Sequence, residues 1–92
     1  IFTSLIKTPV EDYEIMATQM VNLAQQQVGF LGIESAREEI GITVSYWKDE
    51  ESIRKWKRQT DHIMAQKLGK EKWYESYRVR VSKVERDYTN LI

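Results

Sequence analysis

Apolar positions along the chain alternate between two spacings, and the changes of spacing outline six elements. Ile1 to Ile6 is apolar and β-branched, and reads as the end of a strand whose beginning lies before Ile1. Thr8-Pro9-Val10-Glu11 then predicts a helix start: Thr8 as N-cap, Pro9 at the first helical position, Glu11 completing a capping box. Tyr13, Met16, Met20, Leu23 and Gln27 follow at steps of three and four, flanked by Ala17 and Ala24, which is an amphipathic helix that Gly29 stops.

Period two replaces it. Phe30 to Glu38 and Ile40 to Lys48 read as strands joined by a tight turn at Glu38-Glu39-Ile40-Gly41. In the second strand Ile42, Val44 and Tyr46 share one face, while Thr43, Ser45 and Trp47 share the other. Neither face is cleanly polar, so both are expected to be covered. Asp49 caps a second helix, with Glu50 and Glu51 at the positive end of its dipole and Ile53, Trp56, Thr60, Ile63 and Lys67 at helical spacing. Gln59-Thr60-Asp61 marks a candidate break, Gly69 an end and Lys70 to Trp73 a link. Tyr74 to Tyr88 reads as one long final strand. The order β-α-β-β-α-β predicts an α+β, ferredoxin-like domain: one antiparallel sheet with both helices on one face, spanning residues 1–92 as a single unit. Its other face carries apolar and aromatic side chains, and a second copy of the same sheet is the simplest cover.

Composition narrows the chemistry. Fourteen Lys and Arg balance fourteen Asp and Glu, which argues against nucleic acid or an anionic membrane as partner. The absence of cysteine removes disulfides and thiolate chemistry, and a single histidine removes a multi-histidine metal centre within one chain. No apolar run reaches the roughly 20 residues of a membrane span, and no signal-peptide pattern is present, which makes the cytoplasm the expected location. Three tryptophans, five tyrosines and two phenylalanines are more aromatic bulk than one small core absorbs, so an aromatic pocket, a partner subunit or both should take the excess.

Phe30-Leu31-Gly32-Ile33-Glu34-Ser35 and Gly41-Ile42-Thr43-Val44-Ser45-Tyr46-Trp47 resemble the central hairpin of the antibiotic biosynthesis monooxygenase (ABM) family. Ile53-Arg54-Lys55-Trp56-Lys57, His62, Ala65-Gln66, Gly69 and Trp73-Tyr74 resemble the helix and link that follow in its small bacterial branch. The resemblance implies a homodimeric α+β barrel built from two sheets packed face to face. It also implies either oxidation of aromatic polyketides without flavin or metal, or binding and degradation of haem.

Seven residues are candidates for such a site. His62 is the sole side chain with an ordinary pKa near neutrality, hence the candidate proton acceptor or haem ligand. On an unbroken helix it would point away from Ile53 into solvent, so its role requires the break at 59–61. Haem-degrading relatives pair a helix histidine with a tryptophan and a first-strand asparagine; Thr3 and Ser4 stand here without one. Arg37 shares a strand face with Ile33 and Ser35, where it could steady a carboxylate, a phenolate or reduced oxygen in a barrel lumen, or form a cross-strand salt bridge. Tyr46, Trp47, Trp56, Trp73 and Tyr74 are the candidate cavity walls, although Trp56 sits on the apolar stripe with Ile53, which favours core packing, and Tyr46 and Trp47 lie on opposite faces unless the strand bulges. No residue set suits a metal. Arg78, Arg80, Lys83 and Arg86, broken by Glu85 and Asp87, read as charge protecting an edge strand. The expectation is a cofactor-independent monooxygenase acting on a small aromatic molecule, the alternatives being a haem-binding or haem-degrading enzyme and a non-catalytic ligand-binding dimer.

Overall fold

The computed structural model of the protein describes residues 1–7, 10–67 and 74–90, with the side chains of these except 10–12 and 63–67. Its elements are β1 (Phe2–Ile6), α1 (Val10–Gln25), β2 (Phe30–Arg37), β3 (Gly41–Trp47), α2 (Glu50–Lys67) and β4 (Tyr74–Val79). This is the expected α+β order. The strands form one antiparallel sheet in the sequence β2-β3-β1-β4, the ferredoxin-like arrangement.

Local chemistry accounts for most boundaries. The last turn of α1 tightens through Gln26 N–H to Leu23 O and Gln27 N–H to Ala24 O, and the Gln27 amide also donates to Leu23 O. Gly29 follows with φ of +86°, and a Cβ there would collide with the Ser52 side chain, so only glycine brings the chain this close to α2. Asp49 caps α2 as predicted, accepting from both the Ser52 N–H and the Ser52 hydroxyl. Those hydrogen bonds hold its carboxyl below the ordinary range. The Thr8 cap and Pro9, like Gly69 and the 70–73 link, lie outside the described residues.

Two expectations are corrected. α2 runs unbroken through 59–61, because Thr60 donates its hydroxyl back to Lys57 O and Asp61 pairs with Lys57 one turn earlier. Both residues satisfy themselves within the helix. The final strand ends at Val79 rather than Tyr88. Phe2 pairs with Val79, and Arg80 N–H donates to Ile1 O just beyond it.

Register assigns every side chain to a face. Arg37, Gly41, Ser4 and Tyr77 stand in one row across all four strands, on the side where Tyr13 of α1 packs. A bulge at Glu75 returns Tyr74 to this face, and one at Leu31 does the same for Phe30. Thr3, Leu5, Ile42, Val44, Tyr46, Ser76 and Arg78 take the opposite, uncovered face. The buried core among the described residues is small: Met16 and Ala24 of α1 and the polar Ser4. The protomer exposes 7314 Å². A folded monomer of its mass would expose about 5600 Å². Its radius of gyration is likewise 13.9 Å, against about 12.3 Å for a compact chain of this length. Among the described residues no helix is long and apolar enough to cross a membrane.

Candidate functional site

The most developed side-chain cluster lies under α1, around Arg37 at the end of β2. Its guanidinium donates from Nη1 to Ser4 O at 3.2 Å, and from Nη2 to Ser4 Oγ at 2.5 Å and to the Tyr13 hydroxyl at 3.2 Å. It also lies over the Tyr13 ring, 4.7 Å from the centroid. The place exists because β3 opens with Gly41: a Cβ there would occupy the space of the guanidinium. Ser4 is only 2% exposed. No carboxylate approaches Arg37 within ion-pairing distance among the described residues, so the salt bridge that strand geometry allowed is absent from them. The cation is held by neutral oxygens and an aromatic face, with donor capacity to spare.

Aromatic rings wall this cluster. Tyr74 meets Tyr13 edge-on at 5.9 Å and Phe2 at 5.2 Å, and Tyr77 stacks on Phe2 at 5.5 Å. Burial pushes the Tyr74 hydroxyl well above the ordinary tyrosine range; the neighbouring Tyr13 adds to this and Arg37 opposes it. Tyr74 is therefore a phenol, able to donate and unfit to act as a base.

The other candidates fall elsewhere. Trp47 and Trp56 stack at 5.6 Å beneath α2, with Phe30 edge-on to Trp47 at 5.4 Å and the Trp47 indole N–H donating to Ser45 Oγ. Tyr46 stands on the uncovered face and donates to Glu34 Oε1 at 2.7 Å. That hydrogen bond raises its pKa, with smaller contributions from partial desolvation and from the charges of Glu34 and Asp87. The bulge of β2 falls at Leu31, not in β3, so Tyr46 and Trp47 keep opposite faces. His62 is exposed on the unbroken α2 and makes no hydrogen bond or ion pair among the described residues. Trp73 lies outside them. Arg37 sits on the helix-covered face, so in a barrel closed by the open faces it would stand outside the lumen. The sequence thus brings together Arg37 and Tyr74, and separately Trp47 and Trp56. Sequence reading missed Tyr13 and Ser4; Tyr13 looked like one more core position of α1, and nothing local indicates that its hydroxyl end meets an arginine.

A concavity of about 330 Å³ lies where β1 and β4 meet, and residues of both sheet faces line it, Ser4 and Tyr77 with Thr3, Ile40, Arg78 and Arg80 among them.

Comparison with known proteins decides the kinship. No family model matches. Over 88 residues the chain is 48% identical to the uncharacterized protein YqjZ of Bacillus subtilis (strain 168), covering 94% of this chain and 77% of that one. The chain belongs to the YqjZ family. A stretch of 43 residues is also 37% identical to the jasmonate monooxygenase ABM of Pyricularia oryzae, covering 47% of this chain and 20% of that protein. For this YqjZ-family chain, that shorter likeness hints at the ABM superfamily and carries no residue role with it.

Proposed function

We propose that this YqjZ-family protein is a homodimeric monooxygenase of the ABM type, oxidising a small aromatic or polyketide-like substrate without flavin or metal. The observation that carries the reading is Arg37: a half-buried cation with no carboxylate partner among the described residues, positioned by Ser4 and Tyr13 beside the rings of Tyr13 and Tyr74. A preorganised cation beside aromatic walls suits a planar anion, such as an enolate or phenolate. The likeness to a monooxygenase supports the oxidation chemistry, and the surplus surface of the protomer supports the dimer.

In this mechanism the substrate supplies the electrons. An activated CH₂ releases its proton to water, which later returns one to the peroxide, and leaves the carbanion form that Arg37 steadies. One electron passes to O₂, and the substrate radical and superoxide combine to form a C–O bond. The resulting hydroperoxide loses water, so that CH₂ and O₂ become C=O and H₂O. Tyr74, held as a phenol, can donate a hydrogen bond to the developing oxyanion. The exposed position of His62 gives it no part in this step.

The test is O₂ consumption with an anthrone-type substrate by the wild type, Arg37→Leu and His62→Ala. The reading expects uptake with product formation in the wild type, a loss of roughly 100-fold or more in Arg37→Leu from removal of the anion's donor, and near-normal rates in His62→Ala. Equal rates in wild type and Arg37→Leu would refute it. Tight binding of the aromatic with no O₂ uptake would leave a ligand-binding dimer. A haemin titration that shifts the visible spectrum in wild type but not in His62→Ala would favour the haem reading instead.

A further inference from the structure

We propose that Tyr13 sets the anion selectivity of the Arg37 site: its hydroxyl closes the guanidinium fork, so the site takes an anion that presents one oxygen and turns away carboxylates. The inference rests on the reading of Arg37 as donor to a bound anion and adds to it the residue that chooses between anions.

A guanidinium meets a carboxylate through either of two forks. The end-on fork uses one hydrogen of Nη1 and one of Nη2. The side-on fork uses the Nε hydrogen and the other hydrogen of Nη2. Both therefore need Nη2. Here Nη2 has no hydrogen left, because it donates to Ser4 Oγ and to the Tyr13 hydroxyl. Nη1 donates to Ser4 O. Ser4 thus fills the end-on fork with its two oxygens, and Tyr13 stands on the side-on one. A closed fork agrees with the lack of any carboxylate at Arg37 among the described residues.

Neither fork opens by a small movement. Ser4 is buried in the sheet between Gly41 and Tyr77. One flat side of the guanidinium lies against Gly41, where a Cβ would fall on Nη2, Cζ and Nε alike. Tyr13 holds the cation twice, by its hydroxyl and by its ring. What remains is the Nε hydrogen and the outer hydrogen of Nη1, which point apart and cannot serve the two oxygens of one carboxylate. A phenolate or enolate oxygen needs only one of them. The Tyr74 phenol, kept protonated by burial, can supply its second donor. Arg37, Tyr13 and Tyr74 are each half-buried, so the cluster is not sealed from a ligand.

The experiment compares two probes with the same ring and different anions, 4-nitrophenolate and 4-nitrobenzoate, both ionised at mildly alkaline pH. Calorimetric titration of the full chain gives their affinities for wild type and Tyr13→Phe. Phenylalanine keeps the ring beside Arg37 and Tyr74 and removes only the hydroxyl. Wild type should bind the phenolate at least about 10-fold more tightly than the benzoate. Tyr13→Phe should bind the benzoate about 10-fold more tightly than wild type does, because a second N–H becomes available to it. A lesion that only loosened the site would weaken both probes, so a gain for one marks an opened fork. Equal affinities in the wild type, a preference for the benzoate, or no binding of either probe overturns the inference. So does a Tyr13→Phe protein with wild-type circular dichroism whose benzoate affinity does not rise. If that variant fails to fold, the wild-type comparison decides alone. Oxygen uptake is read separately. A wild type that shows the preference and consumes no O₂ loses the monooxygenase reading and keeps the selectivity. Arg37-dependent O₂ uptake with equal affinities for the two probes does the reverse.

Discussion

The two faces of the sheet differ in what covers them more than in what they carry. The face beneath the helices sets Phe2, Phe30, Trp47, Tyr74 and Tyr77 beside Arg37, Ser4, Thr43 and Ser45. The face without helices sets Leu5, Ile42, Val44 and Tyr46 beside Thr3, Glu34, Ser76 and Arg78. An uncovered face in a stable monomer is usually more cleanly polar. On the covered face, polar groups are satisfied one by another, so their burial costs little. On the open face, apolar groups remain in water, and burying them would gain about 25 cal/mol per Å². The covered side thus holds a charge among its own neighbours, and the open side is the one the proposed homodimer would hide.

The largest expected effect tests that division. In the proposed homodimer, Ile42→Asp on the open face should raise the dissociation constant by more than about 100-fold, near 3 kcal/mol, because the dimer would bury an unpaired carboxylate. Sedimentation reads it, and an unchanged dimer would break the comparison. Next, Arg37→Leu removes three charge-assisted bonds on the covered face and should destabilise the protomer by about 2 kcal/mol, seen as a lower urea midpoint. Glu34→Gln, which alters the exposed Tyr46 contact of the open face, should stay within about 0.5 kcal/mol. Gly41→Val sharpens the point: it leaves Arg37 present but takes its space, so anion binding should fall by about 10-fold or more if two well-placed donors are lost, with stability falling by about 1–2 kcal/mol.

Alkaline pH gives a smaller effect. Tyr74 is held protonated in the folded state, whereas in the unfolded chain it ionises near its ordinary value of about 10. Because the folded value is the higher one, its contribution is whole below about pH 10 and is lost as pH rises past that point. Urea midpoints of the wild type should therefore fall more steeply above pH 10 than those of Tyr74→Phe, and parallel curves would remove Tyr74 from the buried set. The smallest change expected is His62→Ala, within about 0.5 kcal/mol in stability as for other exposed positions, with oxygen uptake unaltered.

Much of the architecture was legible along the chain because it depends on short-range chemistry. The Asp49 cap, the Gly29 stop and the turn at 38–40 each need only a few adjacent residues, and alternation alone assigned Tyr46 and Trp47 to opposite faces. The break sought at Gln59-Thr60-Asp61 was misread for a related reason. Thr60 and Asp61 are poor helix formers in isolation, yet their own i−3 and i−4 neighbours accommodate them.

What the sequence by itself determined is the order of elements, the single sheet and the alternation of its faces, since each follows from periodicity and from side chains reaching their own neighbours. Only the tertiary structure decided which polar residues meet. Arg37 is 33 positions from Ser4 and 24 from Tyr13, and their meeting depends on strand register, on the missing side chain at Gly41 and on the seat of α1.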